Sequence, residues 1–158
     1  MKKILVMVVT LAFLLCGCVS QQSVKTLKSF SANASVTFRN FKYDCTVVYN
    51  GKSITVSAQS TSAAGLVITY DGKTVGITYD DISLSQINSN FDSSNPAVAL
   101  YEAFECVNEM PDTEISTVKN GFLVQGETSL GGFTLETDSD FYPVSLEFKD
   151  AQLTFEFE

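Results

Sequence analysis

Two dipeptides constrain this chain more than any other feature. Asn50-Gly51 and Asp71-Gly72 each separate two runs in which apolar and polar residues alternate strictly. A period of two places alternate side chains on opposite faces of an extended strand, and an Asn-Gly or Asp-Gly break is the strongest local signal for a hairpin. Around the first break, Phe41, Tyr43, Cys45, Val47 and Tyr49 share one face, followed by Ile54, Val56 and Ala58. Around the second, Leu66, Ile68 and Tyr70 are followed by Val75, Ile77 and Tyr79. Both turns are expected to be type I′, with positive φ at both central residues.

Strand patterns continue from Ser35 to the C-terminus, with one interruption. Residues 80–95 are polar and read as a loop that Ile82, Leu84 and Ile87 pin down. Asn95-Pro96 then opens the one convincing helix, with an N-cap residue and a proline at the first helical position; it runs to about Met110, before Pro111. At about 100° per residue, Cys106, Ala99, Met110, Ala103, Val107, Leu100, Phe104, Ala97 and Tyr101 form an arc wider than half the circumference, so the helix is largely buried. Asn108 is the polar intruder on that arc, and Glu102, Glu105 and Glu109 occupy the remaining strip with Val98. Strands resume over 114–118, 122–127 and 133–138, and then in Val144/Leu146/Phe148 and Leu153/Phe155/Phe157. The predicted fold is α+β, a strongly curved antiparallel sheet (a half-barrel) of roughly nine strands wrapped around one main helix. The C-terminal strand is expected at an exposed edge, with Glu156 and Glu158 guarding it.

The N-terminus carries an address. Lys2 and Lys3 precede an apolar run from Ile4 to Leu15, broken by Thr10, which is the layout of a secretory signal. It closes on Leu15-Cys16-Gly17-Cys18, which resembles the bacterial lipobox, so residues 1–17 are read as a lipoprotein signal peptide and Cys18 as the lipid anchor. Residues 18–29 then form the lipidated start and tether, and 30–158 one β-rich domain. The implied location is the extracytoplasmic face of a bacterial membrane. Cleavage before Cys18 removes 17 of the 158 residues and leaves 141, enough for a single domain.

Charge narrows the partners. The chain has 10 basic and 18 acidic residues; loss of Lys2 and Lys3 leaves 8 against 18, a mature net charge of −10. Such a surface repels nucleic acid and anionic headgroups. Catalysis lacks its usual tools: there is no His, no Gly-x-Ser-x-Gly elbow and no phosphate-cradling glycine loop. Asp80-Asp81 and Asp138/Asp140 lack the spaced oxygen ligands of a calcium loop. No cofactor is implied and the chain is read as a non-enzyme. Cys45 and Cys106 are open to two readings, a disulfide worth roughly 4 kcal/mol outside the cytoplasm or two buried free thiols.

A family resemblance joins these readings. Phe30-Ser31-Ala32-Asn33-Ala34 before the first strand, Gly65-Leu66, the Tyr70-Asp71-Gly72-Lys73 hairpin, Tyr79, and Phe141-Tyr142-Pro143-Val144-Ser145-Leu146-Glu147 together resemble the LolA/LolB-like lipoprotein-sorting superfamily, including GerS-like Gram-positive lipoproteins. The chain departs from that pattern in having no Trp, one Arg (Arg39) and one long helix. The resemblance implies a half-open sheet under helical lid elements. Independently, so many inward faces exceed what one helix can cover. The expected ligand-lining residues are Tyr43, Val47, Ile54, Ile68, Ile77, Phe104, Phe122, Phe133, Leu146 and Phe155, forming an apolar cleft for a lipid or acyl chain. The alternative is a packed core whose excess apolar surface meets an envelope protein partner.

Overall fold

A computed structural model describes residues 25–87 and 91–158. The expected signal peptide, the expected anchor Cys18 and most of the expected tether lie outside the described residues. Eleven strands form one sheet: β1 (Phe30–Phe38), β2 (Phe41–Tyr49), β3 (Ile54–Ala58), β4 (Val67–Tyr70), β5 (Thr74–Tyr79), β6 (Ile82–Ile87), β7 (Ser116–Val118), β8 (Gly121–Thr128), β9 (Gly131–Asp138), β10 (Pro143–Phe148) and β11 (Leu153–Phe157). Helix α1 (Pro96–Glu109) lies between β6 and β7. The strand order is β6-β5-β4-β3-β2-β1-β11-β10-β9-β8-β7, and every pairing is antiparallel.

That order has a simple logic. The first six strands meander outward from β1, and the last five meander inward from β7 until β11 closes on β1. The C-terminal strand is therefore central, flanked by β1 and β10, and the expectation of an exposed edge there is overturned. The edges are β6 and β7 among the described residues. Residues 82–87, expected as loop, form β6: Ile82, Leu84 and Gln86 do alternate, and they pair in unbroken register with Tyr79, Ile77 and Val75.

The two hairpin turns differ from the expected type. Only the glycines have positive φ, Gly51 at 80° and Gly72 at 84°. Asn50 Oδ1 instead accepts the backbone N–H groups of Lys52 (2.9 Å) and Ser53 (2.8 Å). Asp71 Oδ1 does the same for Lys73 (3.0 Å) and Thr74 (2.6 Å). The side chain mimics a backbone acceptor, so each loop is longer than two residues and needs one left-handed position. A further shift occurs at Pro143–Ser145, where the β9–β10 register slips. The bulge turns Val144 outward (45% exposed), while Leu146 and Phe148 remain buried.

Helix α1 matches its sequence signals. Asn95 Oδ1 accepts from Ala97 N (3.0 Å) and Val98 N (3.4 Å), capping the first turn. Ala97, Val98, Ala99, Leu100, Ala103, Phe104 and Val107 are buried. Phe104 lies at the centre, with its ring 5.8 Å from Phe30, 5.3 Å from Tyr49 and 6.5 Å from Phe157. The helix touches β3 and β4 on one flank and β8 on the other. Close approach to β8 requires Gly126, where a Cβ would stand 2.6 Å from the Phe133 ring and 3.0 Å from Cys106 Sγ.

Asn108, the polar residue on the apolar arc, is fully employed. Its Oδ1 accepts from Leu27 N (2.8 Å) and its Nδ2 donates to the Tyr49 hydroxyl (2.8 Å), which in turn donates to Glu105 (3.2 Å). Residues 25–29 are thereby fastened to the domain: Leu27 is buried and Lys25 N donates to Asp112 (3.0 Å).

Candidate functional site

The face of the sheet that carries α1 is covered unevenly. Cross-strand pairing defines a row running outward from the centre: Val47 faces Val56, Val56 faces Ile68, Ile68 faces Ile77, and Ile77 faces Leu84. Exposure climbs along that row, from 0% at Val47 and 2% at Val56, through half-buried Ile68 and Ile77, to 43% at Leu84. The adjacent pair, Tyr79 and Ile82, is 40% and 71% exposed. The helix thus reaches as far as β4, and Tyr70 and Val75 are buried on this face, while the part of the β4 to β6 face beyond them is left open. The result is a continuous apolar strip contributed by Ile68, Ile77, Tyr79, Ile82 and Leu84.

The ten residues expected to line an apolar cleft divide between core and strip. Val47, Ile54, Phe104, Phe133, Leu146 and Phe155 are buried in the core. Tyr43, Ile68, Ile77 and Phe122 are half-buried against it. Of these four, Ile68 and Ile77 belong to the open strip. Phe122 lies elsewhere, under the Lys25 ammonium (3.9 Å) and beside Phe141 (5.6 Å). Tyr43 packs against Phe41 at 5.7 Å, and burial above all, then Cys45, raises its hydroxyl well above the ordinary tyrosine range. The polar composition of residues 80–95 makes Ile82 and Leu84 read as pins of a loop. Their alternation with Ser83 and Ser85 was the signal that could have placed them on the strip.

A groove of about 700 Å³ lies along α1 between Tyr70 and Gly72 on one side and the end of β8 on the other, lined among others by Glu102, Glu105, Glu109, Glu114 and Glu127 with no Lys or Arg. Its carboxylates make it unfit for an acyl chain. Two of them tie the helix down: Glu102 accepts from Ser129 Oγ (2.6 Å) and Ser129 N (3.2 Å), and Glu105 accepts from Tyr49. Burial first, and then the Glu105 carboxylate, push the Tyr49 hydroxyl up to about 12.

Cys45 and Cys106 are both free thiols. Cys45 is buried in β2 between Ala34 and Ala58, four residues along the strand from Tyr49, where α1 rests. Cys106 faces β8 at Gly126, so the bond left open by the sequence is not made. Burial, then the neighbouring Asp44, push the Cys45 thiol up to about 12, the behaviour of an inert core residue. No group of three or more His, Cys, Asp or Glu is arranged to hold a metal among the described residues. The Asp138 carboxylate caps its own turn, accepting from Asp140 N (2.9 Å) and Tyr142 N (2.8 Å).

No protein-family model matches the chain, and no curated protein does either. Among solved structures it is similar to a LolA superfamily protein from Nitrosomonas europaea, with a TM-score of 0.41 and 14% identity, covering 82% of this chain and 69% of that one. A likeness of that size carries no statement about ligand or activity, and it does not bear on the narrower resemblance to GerS-like lipoproteins.

Proposed function

We propose that this chain is an exported, membrane-tethered binding protein without catalytic chemistry, which holds a lipid or acyl chain against the open β4–β6 face of its sheet. The observation that carries this reading is the rise in exposure along Val47, Val56, Ile68, Ile77 and Leu84. Large apolar side chains left uncovered in a contiguous strip mark a binding surface rather than a scatter of ordinary surface residues.

Curvature supports the same reading. β4 and β8, both in contact with α1, are seven places apart in the sheet. On a flat sheet that separation is roughly 34 Å at 4.8 Å per strand, whereas a helix with its side chains is only about 10–12 Å across. This separation supports a sheet that curls around α1 as a half-barrel, with Ile77 and Tyr79 of β5 and Ile82 and Leu84 of β6 as an open lip beyond the roof. The lipobox resemblance at Cys18 supports a position for this lip on the outer side of a bacterial membrane, within reach of acyl chains.

A second reading has its own support. Six of the ten expected lining residues are core, which favours a packed domain whose lip meets an envelope protein. Native mass spectrometry of residues 18–158 with Cys18→Ser separates the two. A reproducible added mass of lipid size, lost on organic extraction, is expected. A clean protomer mass, with no uptake of added fatty acid, would reject lipid binding and leave the protein partner.

A further inference from the structure

We propose that the groove along α1 is a separate binding site for a linear polyamine, whose ammonium groups meet Glu102, Glu105, Glu109 and Glu127 beside the hydroxyl of Tyr70. Its volume of about 700 Å³ lies within the roughly 300–1,000 Å³ of small-molecule sites. Glu102 and Glu105 each use one oxygen to hold Ser129 and Tyr49, while Glu109 and Glu127 are exposed. No cation of the chain lines the groove; Lys73, in the turn beside Gly72, is not part of its wall. An independent sign of a ligand is Tyr70. It is 4% exposed, yet its hydroxyl has no hydrogen-bond partner among the described residues and still reaches the groove. Burial first, and then the Glu102 carboxylate, raise that hydroxyl above the ordinary tyrosine range, so it stays neutral and can accept from an ammonium group.

Spacing selects the occupant. The carboxylates are not grouped to share one metal ion among the described residues. They recur instead along the helix: Glu102 to Glu105 is a rise of about 4.5 Å and Glu105 to Glu109 about 6 Å. Ammonium groups separated by three or four methylenes stand roughly 5–6 Å apart, so an extended polyamine follows the row. The methylenes between them need an apolar wall, and the Tyr70 and Tyr101 rings supply it, packed edge to face at 5.1 Å. Tyr101 leans over Gly72, where a Cβ would stand 2.9 Å from its hydroxyl, so the wall closes on the β4–β5 turn. The net charge of −8 draws a polycation toward the whole chain.

This inference does not rest on lipid binding, because the groove and the open strip share no residue. The test is isothermal titration calorimetry of the Cys18→Ser domain with spermidine in about 0.15 M salt, where charges more than about 8 Å away are screened. Saturable one-to-one binding is expected. Glu109→Gln with Glu127→Gln should weaken it about fivefold or more, with uptake of added fatty acid unchanged. Asp80→Asn with Asp81→Asn removes the same charge at the β5–β6 turn and should leave it within about twofold. Tyr70→Phe keeps the ring and should weaken binding roughly threefold with an unchanged urea midpoint, since the hydroxyl has no partner to lose. No saturation below about 1 mM would overturn the proposal. So would equal weakening by the two carboxylate pairs, which would make the attraction diffuse, or a site that takes up a lysine-rich peptide and no spermidine.

Discussion

Asn108→Ala tests how the tether end, the helix and β2 are joined. The substitution removes the acceptor for Leu27 N (2.8 Å) and the donor to Tyr49 Oη (2.8 Å). The Leu27 site is only partly buried, so water replaces part of the loss there, and about 1 kcal/mol is expected from the low end of the cost of an unsatisfied donor. Tyr49 is 1% exposed and keeps Glu105 as acceptor, so its lost donor costs about 1 kcal/mol more. A total near 2 kcal/mol, divided by a urea slope of about 2 kcal/mol per M, lowers the unfolding midpoint by roughly 1 M. Hydrogen exchange supplies a second readout: the Leu27 amide should lose protection well beyond the global change. In a cycle with Tyr49→Phe, the two substitutions should cost less together than the sum of their separate effects. A midpoint shift below about 0.2 M, or unaltered Leu27 exchange, would refute the reasoning, because either would mean the amide holds nothing that water cannot.

The other perturbations act through titration and access. Backbone hydrogen bonds from Thr74 and Lys73 hold the Asp71 carboxyl below its usual range. A depressed carboxyl adds stability that is present above the unfolded value near 3.9 and is lost as pH falls through the folded one. Asp71 is exposed and screened, so the effect is small; urea midpoints against pH should show an acid limb that Asp71→Asn flattens while keeping the turn. At alkaline pH the sign reverses. Cys45 and Tyr49 are both raised to about 12, so their contribution is complete below the unfolded thiol value near 8.5 and is lost as pH climbs towards 12. An alkaline titration followed by circular dichroism that shows no loss of stability over that window would contradict this. In the Cys18→Ser domain at pH 8, a thiol reagent should label Cys106 first and Cys45 only at the unfolding rate. Two thiols should be counted after unfolding without reductant; none would mean a disulfide.

What the sequence revealed and what it hid follow from the range of the forces involved. Hairpins and the helix are specified by neighbours: Asn50, Asp71 and Asn95 each grip backbone groups within three residues, and the places of these elements were legible although the turn type of the hairpins was not. Pairings between distant segments were not. Nothing in Leu153–Phe157 distinguishes an edge strand from a central one, and β11 is central because β1 is there to receive it. The bulge that turns Val144 outward is equally silent, since Val144, Leu146 and Phe148 alternate in sequence as though on one face. β6 was lost for a different reason. Its alternation is intact, but the serines, Gln86 and the adjoining Asp80-Asp81 gave it the composition of a loop. The site divided along the same line: the inward face of each strand could be read, but not which inward residues α1 would roof.

The most direct test of the account is to map where an acyl chain binds. Hydrogen exchange of the Cys18→Ser domain, with and without a long-chain fatty acid at saturation, should show new protection concentrated in β4, β5 and β6, abolished by Leu84→Glu. The groove flanked by Glu102, Glu105 and Glu109 should show no change. Protection at that groove instead, or none anywhere despite measured uptake, would contradict a ligand held on the open β4–β6 face.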